Sequence, residues 1–517
     1  MGLNTRRIWN NFPCFGLLAL VLSLMLFEWL RGVPVPSCFP LDFRDIRDEV
    51  IGLFLAKTFQ GFVVGTLLLY HLLLLRLKAG GNGQGSGVNM SWWRALDTRD
   101  WCKFFLVLCA VVHFIADWDV VPASADKELF LFGNDQSTNV LVLLVGIVLG
   151  QFVEMMALRN VQLRLSFGQF GLIVLVAFLA VASLIQNTWA HQFEYRGGIR
   201  ATGLWINPNT YGLLMGIGLV LALAYLTHTV SRVRKDQSNE LPNKDSNRQG
   251  SKGRLEKDRL MSLALICVGS IAAMFLITGL LHSFSRGAWL AVLVGCAFVF
   301  SDIYRATERK QAGRFELKTI TALAWLRREK WILVIAGCSV MVLVLTSRLH
   351  LDHRLTRRLT SVVNANDYSW RNRLIAYWGA LQIIADHPIA GIGWYHASPR
   401  FESFYAPPKL TDHWSIILND YLTLGMVLGI PALACFTGLI WGSWNGVGNR
   451  KPCVESEHPP NASTSWRATA YRGVVIVLLI GFWFDGGLFR LALATPFWLF
   501  LELSHTERSY LRNTKQI

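Results

Sequence analysis

The stretch MSLALICVGSIAAMFLITGLLHSFSRGAWLAVLVGCAFVF, residues 261–300, contains two long apolar runs separated by a short turn. The hydrocarbon core of a bilayer is about 30 Å thick, and a helix of roughly 20 apolar residues crosses it. The runs therefore predict two membrane-spanning helices, at about 260–281 and 287–304. The turn contains Arg286, and a charge at that depth costs several kcal/mol unless water, a partner or a ligand receives it. Arg286 thus marks either a membrane boundary or a functional site.

The rest of the chain repeats this pattern. Of its 517 residues, 53% are hydrophobic and 16% are charged, which is typical of a membrane protein. We predict an all-α, polytopic membrane protein with about twelve transmembrane helices. The apolar runs lie at approximately 13–30, 51–75, 103–122, 139–158, 168–186, 209–228, 260–281, 287–304, 331–347, 415–441, 471–485 and 487–503. The last two runs are short, and we predict a tight helical hairpin around FDGG, residues 484–487.

The basic residues predict the orientation of these helices, because short basic segments stay in the cytoplasm. Predicted cytoplasmic segments are both termini, the region with Arg76, Lys78, Arg94 and Lys103, and residues 159–164, 232–259 and 305–330. This orientation accounts for the net charge of +16 without a nucleic-acid partner. The predicted parts are helices 1–9 at 1–347 with a solvated cytoplasmic linker at 232–259, a long extracytoplasmic loop at 348–414, and helices 10–12 with a cytoplasmic tail at 415–517.

Arginines on the predicted outer face are unexpected under the same rule. Arg200 and Arg286 lie there, and the outer loop is net positive, with Arg348, Arg354, Arg357, Arg358, Arg371, Arg373, Arg400 and Lys409 against five acidic residues. A guanidinium group binds phosphate through two parallel hydrogen bonds and keeps its charge. We therefore predict that Arg286 binds a lipid-borne phosphate at the outer interface. The alternative is that Arg286 only extends from a helix end into water.

Two helix starts are predicted beside these arginines. Ser285 is suited to cap a helix that follows it, and Asn207, Pro208 and Asn209 form a turn that leads into the next span. Helix N-termini attract anions. We predict that Asn207 and Asn209 bind substrate together with two arginines of the outer loop, Arg371 and Arg373.

The outer loop also contains a predicted amphipathic helix and several histidines. Apolar residues at Leu374, Tyr377, Trp378, Leu381, Ile384 and Ala385 follow helical spacing, and the helix is expected to end at Asp386-His387-Pro388. His413 lies at the end of the loop and is our candidate general base, because an imidazole can accept a proton from a sugar hydroxyl. His387 and His396 are weaker candidates, since the first belongs to a turn and the second has no spacing argument.

Charged residues inside the spans leave a transporter open as an alternative. They are Glu28, Asp117, Glu154, Asp420, Asp485 and Arg490. Most lie near a span end, where water reaches them, and only Glu154 suggests a proton path inside the bilayer. A transporter should keep its essential charges at mid-bilayer, whereas a transferase should cluster them at one interface. The outer arginines favour the transferase over a transporter and over a receptor or scaffold.

Four segments together resemble the O-antigen ligase and O-antigen polymerase superfamily of bacterial envelope enzymes. They are RATGLWINPNTYG at 200–212, SRGAWLAVLVG at 285–295, RLIAYWGALQIIADHPIAGIG at 373–393 and NDYLTLGMVLGIPAL at 419–433. The resemblance covers roughly 195–435. It implies an all-helical membrane fold of the kind found in GT-C glycosyltransferases, located in the bacterial inner membrane.

The resemblance also implies a metal-independent glycosyltransferase without a cofactor. The donor would be a glycan on a polyprenyl pyrophosphate such as undecaprenyl pyrophosphate, and the acceptor a lipid, as in lipopolysaccharide synthesis, or a growing glycan. Arg200 and Arg286 would hold the pyrophosphate while a histidine activates the acceptor hydroxyl. The family usually places that histidine directly before the N-x-Y-L-like segment, where this chain has Leu418. Either His413 reaches the site, or Asp420 or another group acts as the base.

Overall fold

The fold was obtained as a computed structural model. It describes residues 14–26, 57–80, 96–117, 140–159, 166–185, 194–195, 198–205, 207–240, 249–312, 368–394, 396–406, 418–445 and 463–513. Our predictions for His413, for the loop arginines from Arg348 to Arg358 and for the span at 331–347 lie outside these residues. The chain forms two compact units, of which the first comprises 1–167, 363–459 and 478–517 and the second 168–362 and 460–477.

The first unit is a bundle of helices with a short helical segment beside it. Its helices are α1 (Cys14–Leu26), α2 (Lys57–Gly80), α3 (Thr98–Ala116), α4 (Val140–Arg159), α9 (Tyr368–Asp386), α10 (Ala397–Arg400), α11 (Asp420–Asn445), the end of α12 (Ser463–Asp485) and α13 (Leu491–Asn513). Helix α4 packs against α13, and α3 packs against α11. A π-turn at Phe401–Tyr405 follows α10 directly.

Helix α11 is broken at Gly429, which has a φ of +84° and is followed closely by Pro431. A proline cannot donate the hydrogen bond that the carbonyl of Val427 would receive in a regular helix. The Gly393 N–H supplies it at 3.1 Å, and the Ile392 N–H binds the Met426 carbonyl at 2.9 Å. The glycine-rich loop after α9, residues 387–393, thus donates hydrogen bonds to carbonyl groups at the break in α11. A membrane interior requires such partners for backbone groups.

The second unit contains α5 (Leu172–Ala182), α6 (Pro208–Glu240), α7 (Gln249–His282), α8 (Arg286–Ala312) and the beginning of α12. A two-residue antiparallel ribbon precedes α6, with Glu194 paired to Ile199 and Tyr195 to Gly198. Helix α6 packs against α5, α7 and α8. Its glycines permit this closeness, since a β-carbon at Gly216 would lie 2.2 Å from the Val292 side chain of α8.

Six helices of the described residues are long and apolar enough to cross a membrane. They are Val140–Leu158, Pro208–Val233, Leu260–His282, Arg286–Ile303, Asp420–Asn445 and Trp466–Phe484, and shorter apolar helices lie at Cys14–Leu26, Gly61–Leu77 and Leu172–Ala182. The prediction of a polytopic helical membrane protein is confirmed. The count of twelve spans stays a prediction. The turn predicted at 484–487 lies between α12, which ends at Asp485, and α13, which begins at Leu491.

The linker predicted at 232–259 is partly helical, and its solvated, cytoplasmic character stays a prediction. Helix α6 continues to Glu240 and α7 begins at Gln249. Lysine, arginine and glutamate are good helix formers, and extending an existing helix avoids the cost of nucleation. The many charged residues of this segment therefore do not prevent α6 and α7 from extending into it.

The predicted helix of the outer loop is present as α9 and ends at Asp386, as the following His-Pro pair indicated. The apolar residues that we selected lie largely on its exposed side, and its neighbours contact another face. Ala376, Ala380 and Ile383 are buried, whereas Leu374, Trp378 and Leu381 are exposed. The exposed apolar face fits a helix whose outer side meets lipid, and the packed face is the one with small residues.

Candidate functional site

Arg200 joins the beginnings of two helices in the second unit. Its Nε donates a hydrogen bond to the Ser283 carbonyl oxygen at 2.9 Å, and its Nη2 donates to Asn209 Oδ1 at 2.6 Å. Ser283 belongs to the turn before α8, and Asn209 lies in the first turn of α6. The two bonds fix the plane of the guanidinium group because they use two N–H groups of a rigid fork.

The start of α6 is set by local chemistry that the sequence already indicated. Asn207 Oδ1 accepts a hydrogen bond from the Asn209 N–H at 2.8 Å, and its carbonyl accepts from the Tyr211 N–H at 3.0 Å. Asn207 is therefore the N-cap, and Pro208 takes the first helical position that suits it. The preceding turn needs Gly203, which has a φ of +59° and lies against the Tyr211 ring.

The start of α8 is a strained turn with buried serines. Phe284 has a φ of +49°, which is rare for a residue with a side chain. Ser283 Oγ accepts from the Ser285 N–H at 3.2 Å, and Ser285 Oγ accepts from the Ala288 N–H at 3.3 Å. Ser285 is thus the N-cap that we predicted, and Arg286 is the first residue of α8, where it is half-buried.

The starts of α6 and α8 lie side by side. A β-carbon at Gly212 would be 2.6 Å from Ser283 Oγ and 3.1 Å from the Ala288 β-carbon. The segment that bears Arg200 is attached to the same place, since the Ala201 N–H binds the His282 carbonyl at 2.9 Å. Two helix N-termini and the residues Arg200 and Arg286 thus occur in one region. Such a region attracts an anion such as a diphosphate.

The two other predicted substrate residues, Arg371 and Arg373, belong to α9 in the first unit. Arg373 is half-buried, and its Nε donates to the Phe484 carbonyl at 3.1 Å. Tyr377 donates from its hydroxyl to the Trp483 carbonyl at 2.7 Å. These side chains satisfy carbonyls at the C-terminal end of α12, which have no partner within the helix. Arg371 is exposed.

Asp420, one of the alternative bases, accepts two backbone hydrogen bonds. The Gly487 and Leu488 N–H groups bind its Oδ2 at 2.5 and 2.7 Å. The carboxylate is buried and anchors the turn between α12 and α13. Asn419 precedes it and caps α11, since its Oδ1 accepts from the Tyr421 N–H at 3.0 Å. Leu418, the usual position of the family histidine, therefore lies directly before this cap.

Asp117 ends α3 and faces the loop that follows α9. Its Oδ2 accepts a hydrogen bond from the Trp394 N–H at 2.6 Å, and its Oδ1 lies 3.5 Å from His396 Nε2. Trp394 is held by its own Nε1, which donates to the Ala110 carbonyl at 3.1 Å. The sequence offered no spacing argument for His396, a weaker candidate base, because its partner comes from a distant segment and leaves no local pattern.

His387 has a different kind of partner. Arg400 Nη1 lies 3.0 Å from His387 Nε2, so the imidazole accepts a hydrogen bond from the guanidinium group. Nearby, the Tyr405 hydroxyl donates to Asp386 Oδ2 at 2.6 Å, which raises the pKa of Tyr405 above its usual value. These two bonds attach α10 and its π-turn to the C-terminal end of α9.

Glu154, on which the transporter alternative depends, is part of a buried cluster of four charges. Arg99 contacts Glu154 at 3.4 Å and Glu502 at 2.6 Å. Lys103 contacts the same two carboxylates at 3.0 and 2.7 Å. Lys103, which we predicted on the cytoplasmic side, has a fully buried side chain in this cluster, and its side of the membrane stays a prediction. The sequence signal for such a cluster is the spacing of Arg99 and Lys103, which lie four residues apart on one face of a helix.

No group of three or more metal-ligating side chains occurs among the described residues. The predictions for Arg200 and Arg286 as catalytic residues, and for Asn207, Asn209, Arg371 and Arg373 as substrate ligands, remain predictions with the contacts given above. His413 lies outside the described part of the chain.

The comparisons with known proteins agree with the resemblance seen in the sequence. Residues 271–437 match the O-antigen ligase family. This segment contains the turn with Arg286, helices α8 and α9, the glycine-rich loop and most of α11. No curated protein matches the chain. Residues 271–437, about a third of the chain, are thus similar to the O-antigen ligase family, in agreement with the resemblance to the O-antigen ligase and O-antigen polymerase superfamily.

Proposed function

We propose that the protein transfers a glycan from a polyprenyl-pyrophosphate donor to a lipid or glycan acceptor at the outer face of the inner membrane. The observation that carries this proposal is the pair of hydrogen bonds from Arg200 to Ser283 and Asn209. They join the N-termini of α6 and α8 in the region that contains Arg286. The match of residues 271–437 to the O-antigen ligase family supports the same chemistry.

The proposed reaction needs no group beyond those of the chain and the substrates. The acceptor oxygen forms a bond to the anomeric carbon, and the bond from that carbon to the diphosphate breaks. The leaving electron pair stays on the diphosphate oxygen. Arg200 and Arg286 and the two helix N-termini stabilise the negative charge that develops there. A base takes the proton from the acceptor hydroxyl.

The transporter alternative rests on an ionisable residue inside the bilayer. Glu154 is that residue, and Arg99 and Lys103 compensate its charge together with that of Glu502. A proton carrier must change its charge during a cycle, which is expensive in a closed cluster of two cations and two anions. The buried cluster therefore supports a structural role for Glu154 and favours transfer over transport.

The test replaces Arg286 with alanine in the native host and measures envelope polysaccharide and the lipid-linked precursor. We expect long glycan to be lost and the precursor to accumulate, with at least about a 100-fold drop in transfer, as for removal of a charge-stabilising donor. Arg305→Ala is the matched control, because Arg305 is exposed and lies on the same helix, about 28 Å further along at 1.5 Å per residue.

Two further arms of this experiment separate the remaining functions. Assays that supply a lipid acceptor or a second lipid-linked glycan distinguish a ligase from a polymerase, because both use the same donor. A flippase would move the donor across vesicles without breaking its diphosphate bond. Unchanged glycan in both Arg200→Ala and Arg286→Ala would refute the assignment of these arginines.

A further inference from the structure

We propose that Asn209 is a positioning residue for Arg200 and acts through that arginine instead of binding the substrate itself. This inference rests on the proposed function and changes the role that the sequence suggested for Asn209. The observation that carries it is the hydrogen bond of 2.6 Å from Arg200 Nη2 to Asn209 Oδ1. Both residues belong to the second unit, as does Arg286.

The chemistry of this contact determines which end of the Asn209 amide faces the arginine. A guanidinium group only donates hydrogen bonds, so its partner is the amide oxygen and not the amide nitrogen. The oxygen is therefore engaged with a cation of the protein. A sugar hydroxyl that approached this oxygen would compete with Arg200, whose charge-assisted bond is the stronger of the two.

The two bonds of Arg200 engage one edge of its guanidinium group. Nε donates to the Ser283 carbonyl at 2.9 Å, and Nη2 donates to Asn209. With both bonds formed, the plane and the direction of the charged group are set, because the fork is rigid. Nη1 and Nη2 form a second edge of the same fork, and a bidentate contact with a phosphate uses an edge of this kind. Without Asn209, the group can turn about the bond to Ser283.

Asn209 is suited to hold the arginine because the start of α6 fixes its own position. Its N–H binds Asn207 Oδ1 at 2.8 Å, and the Asn207 carbonyl accepts the Tyr211 N–H at 3.0 Å. Tyr211 is fully buried, and its hydroxyl donates to the Ser183 carbonyl at 3.2 Å. The Cα–Cβ bonds of a helix tilt towards its N-terminus. The Asn209 side chain therefore leans towards the segment that bears Arg200.

The backbone beside Arg200 is attached to the same turn as its side chain. The Ala201 N–H binds the His282 carbonyl at 2.9 Å, and the next carbonyl, that of Ser283, accepts the bond from Arg200 Nε. Of the two acceptors that hold the guanidinium group, the Ser283 carbonyl belongs to the main chain. Asn209 is thus the side chain whose replacement changes the orientation of Arg200 and leaves its attachment to the turn in place.

The experiment measures transfer by the full chain in membranes of the native host for Asn209→Ala, Arg200→Ala and the variant with both changes. We expect Asn209→Ala to lower transfer by about 10-fold or more, as for loss of a hydrogen bond to a charged group. The double variant should transfer at the rate of Arg200→Ala, because a positioning residue has no effect once the group that it positions is absent. Asn445→Ala, at the half-buried last residue of α11, is the matched control and should transfer normally.

Asn209→Asp is the conservative variant, because a carboxylate oxygen of the same reach accepts the bond from Arg200 Nη2. It should restore part of the transfer that Asn209→Ala loses. An asparagine that bound the diphosphate through its amide N–H groups would give the opposite order, since a carboxylate repels a diphosphate. The order of the alanine and aspartate variants therefore separates positioning from substrate binding.

Normal transfer by Asn209→Ala would overturn the inference, and so would transfer by Asn209→Asp at or below that of Asn209→Ala. It is also overturned if the double variant transfers about 10-fold more slowly than Arg200→Ala. Multiplied losses would mean that Asn209 acts on the substrate or on the fold independently of Arg200. Normal transfer by Arg200→Ala would instead contradict the proposed function of that arginine. Loss with Arg200→Ala and normal transfer with Asn209→Ala would keep the function and reject the positioning role.

Discussion

Gly393 lies so close to Asp117 that a β-carbon at position 393 would stand 2.4 Å from the carboxylate Oδ2. Its φ of +87° also belongs to the region that side chains rarely adopt. One residue therefore combines a backbone requirement with a steric one, at the point where the loop after α9 meets the end of α3.

Gly393→Ala should displace the loop from Asp117 and lower the free energy of unfolding by about 1–3 kcal/mol, from the strained φ alone. The hydrogen bond from Trp394 to Asp117 would be lost with it. The measurement is thermal unfolding in detergent together with transfer activity. Gly65→Ala is the control, because a β-carbon there meets nothing within 4 Å. Equal midpoints for the two variants would contradict the close approach.

Gly429→Ala should destabilise the break in α11 for the same two reasons. A β-carbon at Gly429 would lie 2.1 Å from the Ile389 carbonyl oxygen, and the φ is +84°. The Ile430 N–H, which binds the Pro388 carbonyl at 2.8 Å, would lose its partner. We expect a lower unfolding midpoint than for Gly65→Ala. A variant as stable as the unchanged protein would show that α11 can continue as a regular helix.

Glu502→Gln should destabilise the first unit by about 3–5 kcal/mol, because it leaves an excess positive charge in a closed site. Lys103→Met in the same chain should recover much of this loss by restoring neutrality. The readout is the unfolding midpoint of both single variants and the double variant, with Glu402→Gln at an exposed position as the control. Simple additivity of the two single effects would argue against a coupled cluster.

Arg200→Lys should reduce transfer by about 10-fold or more although it preserves the charge. A lysine ammonium cannot reproduce the planar fork that binds Ser283 and Asn209 together. The matched control is Arg305→Lys on α8, and the readouts are product formation and accumulation of the lipid-linked donor. If lysine at position 200 supports normal transfer, charge alone is sufficient and the joining of the two helix starts has no function.

Tyr377→Phe should lower the free energy of unfolding by about 1 kcal/mol through loss of the hydrogen bond to Trp483. Transfer should change little, because this contact only attaches α9 to the end of α12. The half-exposed Tyr70, changed to phenylalanine, is the control for the substitution itself. A large loss of transfer with an unchanged midpoint would instead place Tyr377 among the substrate ligands.

Several features of the site were predictable because they depend on neighbours in the chain. The cap residues Ser285 and Asn207 stand beside the helices that they start, and Pro388 ends α9 from two residues away. The hairpin at 484–487 followed from two glycines between apolar runs. In each case, the hydrogen bonds or steric restrictions involved span a few residues, so a single stretch of sequence contains the whole cause.

The pairing of Asp117 with His396, the compensation of Glu154 and the attachment of Arg373 to α12 were decided only by the tertiary structure. Their partners come from separate helices, and apolar periodicity does not say which faces of those helices meet. The sequence by itself determined a helical membrane protein with arginines at helix starts. Packing decided which charges are compensated and which imidazole faces a carboxylate, because an ion pair depends on distance in space and not along the chain.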